Sequence, residues 1–115
     1  MKTFLAKLLF NVAVDNAQEE AEFDEQLRLI QSVNIESALY KARHLGRKEE
    51  ETFIGANQKK VTWKFIDVAE IYPLEEVKDG QQLFSNSVKV ADAPSYINYI
   101  RRKSMELQTR SLSFV

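Results

Sequence analysis

The chain has no cysteine, one histidine, three glycines and two prolines, and each scarcity closes off some chemistry. Without a thiol, a disulfide framework, a zinc–thiolate centre, an iron–sulfur cluster and a cysteine nucleophile are all excluded. The single histidine, His44, removes paired-histidine metal sites and most nucleophile–base–orienter triads. The three glycines form neither a Gly-x-Gly-x-x-Gly nor a Gly-Lys-Ser/Thr phosphate loop, and no Gly-x-Ser-x-Gly elbow exists. Charge of one sign is also lacking. With 16 basic against 17 acidic side chains, the chain has no global field that would draw it to nucleic acid or anionic lipid. No run approaches the roughly 20 apolar residues that span a bilayer. The stretch from Met1 to Phe10 is broken by Lys7 and followed by Asn11 and Asp15, so it is read as a strand and not as a signal peptide. A reducing, cytoplasmic setting without a membrane is expected.

What is present is ordinary globular material. At 115 residues, 44% hydrophobic and 29% charged, the chain suits one domain with one core. From Phe4 to Val14 the even positions are Phe4, Ala6, Leu8, Phe10, Val12 and Val14, the period of two that marks a strand with one face on a core. Leu5 and Leu9 suggest that the other face is partly covered. An acidic connection, Asp15 to Glu22, leads to a second alternating run from Phe23 to Val33, whose odd positions are mainly apolar with Arg28 and Ile30 opposite. Two strands joined by a short polar loop predict an antiparallel hairpin.

Asn34 is a helix cap, and Ile35, Ala38, Leu39, Ala42 and Leu45 recur at helical spacing until Gly46, read as the C-terminal stop. A second hairpin follows, with Thr52–Ile54, a turn from Gly55 to Lys60, and a central strand from Val61 to Tyr72 that Pro73 ends. Leu83–Val90 is expected to be a last, edge strand. From Asp92 through Pro94 to about Leu107 the pattern is helical again. The expected fold class is α+β, an antiparallel sheet of about five strands with one helix packed on a face and an additional C-terminal helix. It forms a single domain over 1–115, with a core of about 2–90 and a helix and tail over about 91–115.

Four stretches together resemble the bacterial family called domain of unknown function 4288. They are Ala6–Phe10, Phe23–Ile30, Glu36–Leu39 leading to Gly46, and Val61–Val68 leading to Tyr72. The resemblance covers about Lys2 to Ser87 and implies no activity, cofactor or site residue.

Each constellation that could carry chemistry also has a plainer reading. His44, beside Arg43 and Arg47 near a helix C-terminus, reads as a solvated residue. Glu19, Glu20, Glu22, Asp24 and Glu25 lack the spacing of a calcium loop and read as a solvated acidic loop. Trp63 and Phe65 with Tyr72 and nearby lysines could stack bases, but aromatic residues on a central strand favour the core, and Trp63 is expected to be buried. A small-ligand pocket would use Trp63, Phe65 and Tyr72, with Arg28, Glu25 or Asp67 as its polar contact. The C-terminal helix gathers Tyr96, Tyr99, Arg101, Arg102, Lys103 and Arg110, and tyrosine and arginine are residues that interfaces favour.

No catalytic, cofactor or metal residue is assigned. The leading expectation is a non-enzymatic protein-interaction or self-association module acting through the C-terminal helix. The alternatives are a small-ligand domain or minor enzyme with a pocket between sheet and helix, and nucleic-acid binding through the basic helix, the least favoured of the three.

Overall fold

A computed structural model describes residues 1–17 and 20–113. Glu19 of the acidic loop, and Phe114 and Val115 of the tail, lie outside the described residues. The element order is β1 (Lys2–Val14), β2 (Glu22–Ser32), α1 (Ile35–Lys48), β3 (Glu51–Ile54), β4 (Lys60–Leu74) and α2 (Ala93–Ser113). The chain divides into two compact units, Met1–Leu83 and Phe84–Val115.

In the first unit the fold class is the expected α+β with an antiparallel sheet, its strands in the order β2-β1-β4-β3. Among the described residues the sheet has four strands, one fewer than anticipated, because 83–90 takes no strand. Ser85, Asn86 and Ser87 interrupt that segment, and Leu83, Phe84, Val88 and Val90 are all exposed, so its apolar positions bury too little to hold a strand in place.

The core lies between α1 and one face of the sheet. Phe4, Ala6, Leu8 and Phe10 of β1 meet Ile30 of β2, Ala38 and Ala42 of α1 and Phe65 of β4. The even-numbered face of β1 is therefore the core face, as its alternation requires. Asn34 caps α1, its side-chain oxygen accepting the Ser37 N–H at 2.8 Å, which satisfies one of the orphan donors of the first turn.

Gly46 departs from its expected role. It lies inside α1, buried in the last turn, and Glu49 is the C-cap. A Cβ built on Gly46 would stand 2.6 Å from Phe65 Cζ, and closer still to Cδ1 and Cε1. Only glycine lets the helix approach that ring. Pro73 likewise falls within β4, opposite Phe4 of β1. Since β3 pairs with β4 only as far as Trp63, Pro73 sits on an unpaired outer edge, where a missing N–H breaks no ladder.

The face away from α1 carries the odd-numbered residues of β1 and β2. There Leu5 lies in register between Leu29 of β2 and Tyr72 of β4. Lys7 reaches Glu25 and Glu70, both at 3.9 Å. Phe23, Leu27 and Leu29 of β2 are exposed on this face.

In the second unit, α2 has 21 residues. Asp92 precedes it and accepts from the Ser95 N–H at 3.2 Å and the Ser95 hydroxyl at 2.7 Å, while Pro94 occupies the first turn, where its missing N–H is harmless.

Candidate functional site

The four residues expected to line a pocket do not converge on one cavity. Phe65 is buried, its ring tilted at 5.5 Å from Phe10 and pressed against Gly46. Trp63 is half-buried, not fully enclosed, at 6.1 Å from the same Phe10 ring. Tyr72 lies opposite Leu5 while its neighbour Ile71 packs on the core, so Tyr72 is on the other face of the sheet. Arg28 is on the α1 face but is already engaged. Its guanidinium forks onto both Glu49 oxygens and also donates to Gln26 Oε1 from Nε at 3.1 Å and from NH2 at 2.8 Å. A bidentate arginine–carboxylate pair is among the strongest polar contacts a side chain makes.

The other candidate acids are similarly occupied. Asp67 accepts from the Val68 N–H at 2.7 Å and from Arg43 Nε at 3.0 Å. The Val68 N–H first, and then Arg43, hold its carboxyl below the usual carboxylate range. Glu25 pairs with Lys7. Beside Trp63 lies a shallow depression of about 480 Å³ lined by Gln26, Lys48, Glu49, Glu50 and Glu51. Glu49 in this lining holds Arg28, and Glu50 accepts the Phe65 N–H at 3.1 Å. His44 is exposed on α1. Among the described residues no three histidine, aspartate or glutamate side chains are grouped to hold a metal ion.

Sequence reasoning missed the Arg28–Glu49 and Arg43–Asp67 pairs. A signal for the first was present. Arg28 shares the even positions of β2 with Ile30, and a cation on a core-facing row needs a partner. What could not be read was that the C-terminal end of α1 sets its cap residue, Glu49, beside that row.

Of the six residues grouped on the C-terminal helix, five gather around one stripe of it and Arg102 does not. At 100° per residue, Tyr96, Ile97, Ile100 and Leu107 fall on one stripe of α2, and all four are exposed. Tyr99 lies beside it, its ring 6.5 Å from that of Tyr96. Lys103 Nζ stands 5.1 Å from the Tyr99 ring centroid, a cation–π distance. Lys103 and Arg110 flank the stripe on that side, Arg101 borders the other, and Arg102 is on the reverse of the helix. The Ser95 hydroxyl and then its N–H hold Asp92 below the usual carboxylate range, which places a full negative charge at the positive end of the helix.

A family model described as a domain of unknown function (DUF4288) matches residues 3–85, most of the chain. The chain belongs to this family. The DUF4288 match ends within two residues of the boundary between the two units, so the sheet and α1 are its family part and α2 lies beyond it. No curated protein and no solved structure gives a significant match. Among the described residues no helix is long and apolar enough to cross a membrane.

Proposed function

We propose that this chain is a non-enzymatic protein-interaction module whose contact element is α2. One observation carries this reading, the exposed stripe of Tyr96, Ile97, Ile100 and Leu107 flanked by Lys103, Arg110 and Arg101. An amphipathic helix that keeps its apolar face in solvent is suited to lie in a groove of another chain, with anchors at i, i+3, i+4 and beyond. Tyrosine and arginine supply large contact area and directional hydrogen bonds, and they dominate interface energetics. The residues after Leu83 carry five basic groups against two acidic ones, so the groove that receives them is apolar with an acidic rim. The engagement of Arg28, Glu49, Glu50 and Asp67 in contacts that hold the fold together supports placing the activity outside the sheet unit.

The test is capture by the full chain from a lysate of its source cell, run beside the double variant Ile97→Glu with Ile100→Glu. The reading expects a protein, a second copy included, that the native chain retains and the variant loses while its helical circular dichroism is kept. Equal retention by both would overturn it.

A further inference from the structure

The two edges of the sheet are built differently. On one side β3 covers only the first residues of β4. The remainder of that edge carries two register shifts and Pro73, devices that discourage strand addition. On the other side β2 is the terminal strand of the order β2-β1-β4-β3. It runs for 11 residues, Glu22–Ser32, and pairs with β1 without a single register shift. It contains no proline, glycine or lysine, and its odd face exposes Phe23, Leu27 and Leu29. Its outer N–H and C=O groups have no ladder partner among the described residues. Only at its far end is one of its carbonyls drawn off, that of Gln31, which accepts from Lys41 Nζ at 3.0 Å. A long, regular, partly apolar edge is a template for another strand.

We infer that β2 pairs antiparallel with β2 of a second copy, about a two-fold axis through Gln26, joining two four-stranded sheets into one of eight strands. The sequence of β2 selects both the partner and the register. A two-fold axis normal to the sheet keeps each side chain on its own face, so even positions meet even and odd meet odd. Centred on Gln26, the pairing sets Asp24 opposite Arg28 of the second copy, twice, on the α1 face. On the other face it sets Phe23 opposite Leu29, also twice. Neighbouring registers are penalised. Centring on Glu25 opposes Glu25 to itself, and centring on Arg28 opposes two arginines. Centring on Leu27 loses both Asp24–Arg28 pairs and sets Asp24 against Ile30. The Gln26 register has charged–apolar pairs of its own, Glu25 with Leu27 and Glu22 with Ile30, but offsets them by two ion pairs and two apolar pairs. Like charges directly opposite are destabilising, whereas opposite charges and apolar pairs stabilise a sheet. The Arg28 guanidinium is already held at this edge by Glu49 and Gln26, with its side chain 34% exposed, so it loses little freedom on meeting Asp24. Gln31 falls outside the paired span, and its bond from Lys41 survives.

This edge belongs to the first unit and α2 to the second, and the inference stands or falls independently of the helix reading. Because the chain has no cysteine, single cysteines report the register cleanly. The full chain should have twice its monomer mass by light scattering. Gln26→Cys should oxidise to a covalent dimer, since the axis brings the two side chains together, while Gln31→Cys should not. Asp24→Arg alone and Arg28→Asp alone should each be monomeric, and mixing them should restore a dimer, because each arginine then meets an aspartate. A folding defect would not be rescued by mixing, and if Arg28→Asp fails to fold, the two cysteine variants still decide. A monomer at every concentration, or equal cross-linking of both cysteine variants, overturns the inference. A dimer untouched by Asp24→Arg but lost with Ile97→Glu and Ile100→Glu overturns it too, and leaves the helix reading standing. The reverse result leaves this interface standing and gives α2 no part in self-association.

Discussion

Gly46 is glycine because of what lies against it. In the last turn of α1 its backbone meets the Phe65 ring, and that ring in turn tilts against Phe10 at the centre of the core. Gly46→Ala sets two effects against each other. Alanine favours the helix interior by about 1 kcal/mol, but the new methyl overlaps a buried aromatic ring, and overpacking a core costs about 1–3 kcal/mol. Because the ring is wedged between helix and strand, the clash should win. The urea midpoint should fall with an unchanged slope, and Phe65→Leu in the same chain should recover part of the loss. From the sequence, a glycine near the end of a helical pattern reads as a stop, since the ring it touches is 19 positions away and nothing local announces it. Asp67 gives a pH-dependent test. Its folded-state carboxyl titrates below 3.8, through the Val68 N–H and then Arg43, so its contribution is complete above that pH and disappears as pH falls through the lower folded value. The group is exposed, which keeps the effect under about 1 kcal/mol. Native chain and Asp67→Asn should therefore differ slightly in urea midpoint near neutral pH and converge in acid.

At the scale of elements, β1 was fully legible and β2 only half so. In β1 the even residues Phe4, Ala6, Leu8 and Phe10 form the buried row, and a period of two leaves no ambiguity. In β2 the odd row is the more apolar in sequence, yet Ile30 on the even row enters the core while Phe23, Leu27 and Leu29 remain exposed. Register explains the difference. Phe4 pairs with Ile30, and Phe10 with Asp24, so the core face of β1 determines the facing row of β2 whatever its polarity. The exchange leaves Arg28 and Gln26 on the α1 side, where Glu49 satisfies the arginine. The segment 83–90 was misread for a related reason, because β-branched residues mark a strand only where a partner strand and a buried face exist. The cap of α1 was legible outright, being a local bond. Asn34→Ala should lower stability by about 1 kcal/mol, measured as a fall in the thermal or urea midpoint of the full chain.

For the whole molecule, the sequence placed the end of the packing patterns near Val90, and the first compact unit ends at Leu83. The family match ends at residue 85. Packing patterns are legible because a core must repeat the period of its elements. A contact surface repeats nothing, so only its composition speaks, as with the tyrosines and arginines of α2. The candidate pocket was illegible for the opposite reason. Trp63, Phe65 and Tyr72 lie on one strand, but the strand's alternation and the two register shifts of β4 set which face each one takes. The most direct measurement of the central claim is amide hydrogen exchange along the full chain, alone and with its captured partner. An account in which α2 is the contact element predicts slowed exchange along Ala93–Ser113, centred on Ile97 and Ile100. Protection confined to the strands around Trp63, with α2 unchanged, would contradict it.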